Sequence, residues 1–199
     1  MRNIHLLIAL FALGACQTLP TSSEWLARGD GYFKDRNMVK ALQAYNKAAK
    51  LNPDNLAVYS SRGAAFFFAG DYAAAQEDFI EVLKINPYQA DAYNALASAL
   101  AAQGDYKTAL QMINQAAVLT PDKPEVFFTR GGINYMLGQF EQALQDYNFV
   151  LRLYPAADVY NARGAVYTQL GRTKEAEQDF ATAKSGSVPA KLNDYRMID

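Results

Sequence analysis

A 34-residue pattern recurs along most of this chain and limits what it can fold into. In residues 56–89 one helical face is formed, at spacings of four and three, by Tyr59, Gly63 and Phe66. Gly70 then interrupts the pattern, because glycine can adopt the left-handed conformation that ends a helix, and Asp71 can cap the next helix. Pro87 lacks an amide hydrogen and ends the second helical pattern. The unit is therefore predicted to be a helical hairpin.

Successive copies of this unit occupy residues 22–55, 56–89, 90–123, 124–156 and 157–185. Counted from the first residue of each copy, they share an aromatic residue at position 4, a small residue at position 8 and, in four of them, a hinge glycine at position 15. Arg36 replaces the hinge glycine of the first copy, and Asn134 replaces an aromatic residue in the fourth. The fifth copy stops before the closing proline. This pattern resembles the tetratricopeptide repeat.

The resemblance implies an all-α fold, a right-handed superhelical solenoid of about five hairpins over residues 22–185. A lone hairpin cannot bury its apolar face, whereas stacked hairpins share one continuous core. Residues 186–199 are expected to form a short C-terminal cap, because one helical face would carry Val188, Leu192, Tyr195 and Ile198. The alternative is that this segment occupies the groove of its own or another copy.

Residues 1–15 differ from the repeats and have the pattern of a signal peptide. A positive charge precedes an apolar run over residues 4–13 that is too short to cross a membrane. The following Leu13-Gly14-Ala15-Cys16 resembles the bacterial lipobox, which implies cleavage after Ala15 and a lipid on Cys16. Residues 16–21 would be a lipidated tether, and Gln17 is similar to the pattern sorted to the outer membrane, facing the periplasm. The alternative is an ordinary secretory signal whose only cysteine falls here by chance.

The residue types of the mature chain argue against catalysis. The only histidine is His5, inside the predicted signal peptide, and the chain contains no glycine-rich phosphate loop. A net charge of −1 gives no electrostatic footprint for nucleic acid. We expect no metal, no cofactor other than the covalent lipid on Cys16, and no small-molecule substrate. A cell-wall enzyme that uses carboxylates is the alternative from another class, although capping and the helix dipole explain Asp71, Asp105, Glu141 and Glu175, which fall at or near the starts of second helices.

Arginine at position 7 and aspartate at position 23 occur together in three copies. Antiparallel packing brings these positions to similar heights, so we predict the ion pairs Arg62–Asp78, Arg130–Asp146 and Arg163–Asp179. In the third copy both positions are apolar, Leu96 and Met112, as a partly buried pair would require, because removing one partner strands a charge. The alternative is that these are independent surface charges.

The resemblance also indicates where a ligand would bind, since the family uses positions 2, 5, 9, 12 and 13 of the first helices, which line the concave wall. Candidate groove residues at these positions are Phe33, Phe67, Phe68, Asn94, Phe128, Tyr135, Met136 and Asn161. No lysine or arginine lies where the chaperone-binding branch of the family holds a carboxylate, so that activity is not expected. An apolar helix or an extended peptide suits this surface. The alternative, for Phe67 and Phe128 in particular, is packing between adjacent first helices.

These features predict a non-catalytic scaffold, anchored in the outer membrane by lipid, that binds a protein partner or peptide segment in its concave groove. The resemblance narrows the role to outer-membrane repeat lipoproteins. One group helps to assemble or localise type IV pili or their secretin channels. The alternative group consists of adaptors for peptidoglycan hydrolases.

Overall fold

The computed structural model describes residues 19–186, so the predictions for Cys16, for the signal peptide and for residues 187–199 lie outside the described residues. The described part consists of ten helices and no strand. The helices are α1 Ser22–Lys34, α2 Met38–Leu51, α3 Leu56–Ala69, α4 Tyr72–Ile85, α5 Ala90–Ala102, α6 Tyr106–Leu119, α7 Pro124–Met136, α8 Phe140–Leu153, α9 Ala157–Gln169 and α10 Thr173–Ser185. Each odd-numbered helix packs against the next helix, so the predicted all-α solenoid of five hairpins is confirmed.

The first helices of neighbouring hairpins form the inner wall of the solenoid. Contacts join α1 to α3, α3 to α5, α5 to α7 and α7 to α9. No corresponding contact joins one second helix to the next among the ten described helices. Because the first helices approach one another more closely than the second helices do, the stack curves with the first helices on its concave side.

The turn within each hairpin follows the predicted chemistry. Four hinge glycines have positive φ, between 70° and 85°: Gly70, Gly104, Gly138 and Gly171. Arg36 adopts the same left-handed region at φ 57° in the first hairpin, although only glycine does so without steric cost. The carboxylates of Asp71 and Asp105 accept hydrogen bonds from the backbone N–H groups of Ala74 and Thr108, which caps α4 and α6.

Close approach of the two helices in a hairpin depends on the small residue at position 8. In four hairpins this residue is glycine, and an aromatic ring at position 24 lies against it. A Cβ at Gly131 would lie 2.7 Å from Cε1 of Tyr147. In the third hairpin position 8 is Ala97 and position 24 is the smaller Ile113, and both are fully buried. The sizes at these two positions therefore vary together.

Each of the three predicted arginine–aspartate pairs is present as part of a larger cluster. Arg62 Nε and Nη2 donate to the Asp78 carboxylate at 2.9 and 2.6 Å, and Nη1 donates to Asn46 Oδ1 at 2.7 Å. Asn46 belongs to the second helix of the preceding hairpin, so one guanidinium joins α2, α3 and α4. The equivalent clusters are Arg130 with Asp146 and Asn114, and Arg163 with Asp179 and Asn148. We call these three groups the arginine clusters.

At the junction between the second and third hairpins, the positions equivalent to the arginine, aspartate and asparagine of an arginine cluster are all apolar. Leu96 stands in place of the arginine, Met112 in place of the aspartate and Ile80 in place of the asparagine. These side chains pack into the main hydrophobic cluster. A buried polar group needs its partners, so the cluster is either complete or absent.

The arginine cluster that contains Asp146 explains why Asn134 stands at a position where other hairpins have an aromatic residue. Asn134 is 4% exposed, and its Nδ2 donates to Asp146 Oδ2 at 3.0 Å. Asp146 thus receives hydrogen bonds from both Arg130 and Asn134. In another cluster, burial raises the pKa of the Asp78 carboxyl, and the Arg62 guanidinium opposes that shift. Both carboxylates therefore depend on their donors.

The contact at Gly131 can be tested against its neighbour in the same helix. Gly131→Ala is expected to lower the free energy of unfolding by about 1–3 kcal/mol, because the new Cβ overlaps the buried Tyr147 ring. At Gly132 a Cβ would meet only Tyr147 Oη, at 3.8 Å, so Gly132→Ala should raise stability by about 0.5–1 kcal/mol through helix propensity. Chemical denaturation followed by circular dichroism measures both. Equal effects at the two positions would contradict this packing.

The arginine clusters can be tested by copying the apolar residues of the third hairpin. Arg62→Leu alone should cost about 3–5 kcal/mol, because Asp78 is left buried without its cation. The triple change Asn46→Ile, Arg62→Leu and Asp78→Met should cost less, and equal losses would contradict the coupling.

The loss caused by Arg62→Leu should also depend on pH. A buried carboxyl with a raised pKa stabilises the fold below its unfolded-state pKa of about 3.9 and loses that contribution as pH rises. The penalty of Arg62→Leu should therefore be smaller near pH 4 than near pH 7. Denaturation of the single and triple variants at both pH values measures this, with the triple variant as the pH-independent control.

Candidate functional site

A pocket opens on the concave wall between the first helices of the third and fourth hairpins. It has a volume of about 400 Å³ and is lined by Ser98, Ala101, Tyr106, Thr129, Gly132, Ile133, Tyr135 and Met136. We call it the central pocket. Its serine and threonine hydroxyls are already paired within their own helices, since Ser98 donates to the Asn94 carbonyl and Thr129 to the Glu125 carbonyl. The surface left for a ligand is therefore mainly apolar and aromatic.

The central pocket exists because one ring of a repeated pair is missing. In the second hairpin the position-12 ring of Phe67 packs on the position-17 ring of Tyr72, with centroids 5.2 Å apart. In the fourth hairpin Tyr135 packs on Phe140 in the same way, at 5.7 Å. The third hairpin keeps the position-17 ring, Tyr106, but has Ala101 at position 12. The volume that a ring would fill is left open beside Tyr106.

Two of the predicted groove residues line the central pocket. Met136 is 54% exposed at the end of α7. Tyr135 is half-buried, and its ring contacts Phe140, so only part of the side chain is open to a ligand. Together they offer a thioether and an aromatic ring, which adapt well to an apolar partner side chain.

Three other predicted residues form an aromatic cluster on the first and second hairpins. Phe33 from α1 lies 5.6 Å, centroid to centroid, from Phe68 in α3. Phe68 is also 6.2 Å from Phe67 and is 70% exposed. Phe67 itself is half-buried against Tyr72. The aromatic cluster therefore offers a second apolar contact point on the same wall.

The remaining predicted residues have separate environments. Phe128 is half-buried, with its ring 5.8 Å from that of Tyr147, and does not line the central pocket. Asn161 is exposed on α9. Asn94 lies one turn before Ser98 in α5, and its buried Oδ1 has no hydrogen-bond partner. Asn94 is thus the predicted polar residue with unused hydrogen-bonding capacity.

The sequence patterns did not identify Tyr106, Thr129 and Ile133 as groove residues. Tyr106 begins a second helix, so the periodicity of the first helices does not include it. The comparison of positions 12 and 17 between copies was the signal that could have revealed it.

A polar cavity of about 230 Å³ lies around Arg130, Asp146, Asn114 and Asn134. These are members of an arginine cluster and already hydrogen-bond to one another, so the cavity belongs to the packing between hairpins. Among residues 19–186 no group of three or more histidine, cysteine, aspartate or glutamate side chains could hold a metal ion. No helix in this range is long and apolar enough to cross a bilayer.

Among the carboxylates near the second-helix starts, Asp71 and Asp105 cap their helices. Glu141 and Glu175 lie in the first turns of α8 and α10, which have no side-chain cap, and Glu175 pairs with Arg172 instead. A hydrogen bond from Thr108 lowers the pKa of Asp105, and one from Arg172 lowers the pKa of Glu175. A general acid in glycoside cleavage needs the opposite shift. Asp78, whose pKa burial raises, is held bidentately by Arg62.

Comparison with known proteins identifies the repeat. Three family models described as tetratricopeptide repeat match residues 22–55, 67–127 and 135–189. No curated protein sequence matches the chain.

Similar solved structures include MamA from Desulfovibrio magneticus RS-1, at 18% identity and a TM-score of 0.76, covering 82% of this chain and 93% of that one. PilF from Pseudomonas aeruginosa is 20% identical, with a TM-score of 0.73 over 83% of this chain and 76% of that one. YrrB, described as a TPR protein with an unusual peptide-binding site, is 21% identical, with a TM-score of 0.67 over 82% and 85%. At these identities the likeness concerns the fold.

Proposed function

Because the chain belongs to the tetratricopeptide-repeat family, we propose that it is a non-catalytic scaffold that binds a segment of a protein partner in its concave groove. The observation that carries this proposal is the central pocket, where Ala101 leaves Tyr106 without the ring that covers its counterparts. An empty apolar pocket on an otherwise packed wall suits one large apolar side chain of a partner.

The partner segment is proposed to use three contacts. Its apolar anchor fills the central pocket between Tyr106 and Met136. A backbone N–H can donate to Asn94 Oδ1 after a side-chain rotation, which would give that orphaned acceptor a partner. A second apolar side chain can contact Phe68 in the aromatic cluster. Anchors spaced along a groove are how helical and extended segments are recognised, and the description of YrrB names a site of the same class.

The proposed cellular role rests on residues 13–17. We propose that Cys16 carries a lipid that holds the solenoid at the outer membrane, facing the periplasm, and that the partner belongs to a cell-envelope machine, the type IV pilus or its secretin. Stable anchoring needs more than one acyl chain, which the lipobox modification supplies.

Filling the central pocket tests the binding proposal. A photoreactive amino acid in place of Met136 should cross-link to one partner protein in cells. Ala101→Phe should reduce this cross-linking by about tenfold or more, the effect of losing roughly 1.4 kcal/mol of binding free energy, because the ring occupies the anchor's volume. Mass spectrometry of the product identifies the partner, and a peptidoglycan hydrolase there would replace the pilus or secretin assignment.

Two controls accompany the cross-linking experiment. Ala101→Ser leaves the pocket open and should retain the cross-link, and thermal unfolding should show that both variants are folded. A photoreactive residue in place of Gln111, which is exposed on the second helix α6, should give no such product. Undiminished cross-linking in Ala101→Phe, or the same product from both sites, would rule out the pocket as the binding site.

Substitution of Cys16 tests the anchor separately. Cys16→Ser should abolish incorporation of radiolabelled palmitate and move the protein from the membrane fraction to the soluble periplasmic fraction, because no other cysteine is available. The purified variant should bind a synthetic peptide from the identified partner as the lipidated chain does. Undiminished incorporation of palmitate into Cys16→Ser would refute the lipid on Cys16 and leave the groove proposal standing.

A further inference from the structure

The exposed apolar residues of this protein are concentrated on one edge of the solenoid. The connections between hairpins, the last turns of the second helices before them and the residues before α1 form this edge, which we call the connection edge. The turns within hairpins form the opposite hinge edge. Exposed large apolar residues on the connection edge are Leu19, Leu51, Ile85, Tyr88, Val118, Leu153 and Tyr154. The other exposed large apolar residues among residues 19–186 are Val39, Phe68 and Met136 near the hinge edge and Phe180 within α10. Phe68 and Met136 belong to the groove.

Comparison of the hairpins with one another shows that three of these residues replace polar ones. Val118 is 76% exposed and stands at position 29, where the other hairpins have Lys50, Lys84 and Arg152. Nothing in the packing of α6 requires this change, because the side chain is exposed in solvent.

The two tyrosines of the connection edge show the same replacement. Tyr88 is 78% exposed and stands at position 33, where the first and third hairpins have Asp54 and Asp122. Tyr154 is 63% exposed and stands at position 31, the position of Asn52, Asn86 and Thr120. Three successive connections thus each carry one large, exposed apolar or aromatic residue in place of a polar one.

The predicted lipid anchor lies at this edge. Leu19, 89% exposed, precedes α1 on the connection edge, and only three peptide units separate it from Cys16. Three residues span at most about 11 Å even when fully extended. A lipid on Cys16 would therefore hold the first hairpin's end of the connection edge next to the bilayer.

We propose that the connection edge is a membrane-contacting surface, and that Tyr88, Val118 and Tyr154 insert into the lipid headgroup region. This inference rests on the proposed lipid anchor. Tyrosine favours the membrane interface because its ring is apolar and its hydroxyl remains hydrated. A bilayer can take up separate side chains from successive loops, whereas a protein partner needs a contiguous apolar patch.

The charges of the connection edge agree with a contact that is not mainly electrostatic. Lys84 pairs with Glu81 and Lys123 with Asp91. Asp54 and Asp122 add acidic charge on two of the connections. The contact should therefore depend little on salt, unlike the binding of a polybasic surface to anionic lipids. Because the concave wall lies between the two edges, this orientation leaves the groove open.

A fluorescent label on a single engineered cysteine tests the orientation. The lipidated full chain is reconstituted into vesicles of phosphatidylethanolamine and phosphatidylglycerol that contain nitroxide-labelled lipid. The label is placed by Leu51→Cys on the connection edge or by Lys107→Cys on the hinge edge. Lipid nitroxide should quench the label at position 51 at least about two-fold more than the label at position 107, since interfacial residues lie within 5–10 Å of the acyl boundary.

The decisive variant replaces the three exposed apolar residues with the polar residues that other hairpins have at the same positions. Tyr88→Asp, Val118→Lys and Tyr154→Asn together should remove most of the quenching difference without lowering the melting temperature, because each new residue already occurs at its position in another hairpin. Val39→Lys on the hinge edge should leave the difference unchanged. An unchanged difference in the triple variant would overturn the proposal.

Two further outcomes separate this inference from the proposed function. If mass spectrometry shows lipid on Cys16 but both labels are quenched equally, the orientation is wrong and the anchor stands. If Cys16 carries no lipid, the anchor and the orientation both fail. Protection of position 51 from aqueous iodide only after addition of the partner would assign the edge to that protein, which also overturns the proposal.

Discussion

Close packing of the small residue at position 8 against the side chain at position 24, an aromatic ring in four of the five hairpins, is the contact on which the rest of this solenoid depends. Glycine at position 8 lets the two helices approach until the Tyr147 ring lies within 2.7 Å of where a Cβ would stand on Gly131. That spacing sets the height at which positions 12 and 17 meet across the hairpin, and these positions carry the Phe67–Tyr72 and Tyr135–Phe140 pairs. The central pocket follows from the same geometry, because Ala101 removes one ring from an arrangement that is otherwise fixed.

The arginine clusters add specificity between hairpins rather than large net stability. Burying an ion pair gains little over apolar packing, but a guanidinium placed against an apolar neighbour loses its partners. Arg130 and Arg163 need an asparagine on the preceding hairpin and find Asn114 and Asn148. The second hairpin offers Ile80 instead, and its successor has Leu96. A hairpin that carries the arginine therefore packs poorly on a hairpin that lacks the asparagine. This mismatch favours one order of stacking of the hairpins.

The sequence predicted those features whose residues all lie within one repeat, and it did not predict features that depend on two neighbouring repeats. The hairpins, their hinges and the arginine–aspartate partners follow from spacings inside a single copy. The asparagine partners, Asn46, Asn114 and Asn148, belong to the previous copy, and their contact depends on the rotation between neighbours, which spacing does not encode. The pocket beside Tyr106 could not be predicted from spacings, because it depends on how the side chains pack in three dimensions. The missing ring at Ala101 leaves a cavity only because the helices cannot move closer.

The two proposed surfaces of the solenoid constrain each other. α7 begins on the connection edge at Pro124 and ends at Met136, so at 1.5 Å per residue the far side of the central pocket lies about 20 Å from that edge. With the connection edge on the bilayer, a partner segment in the groove would be held within this distance of the lipid headgroups. Such a groove is within reach of a protein that is itself embedded in, or docked on, the same membrane, and holding both partners at one membrane raises their effective concentration. In that orientation the height of the pocket, set by the length of one helix, would favour a membrane-bound partner, in addition to the apolar contact that Tyr106 and Met136 offer.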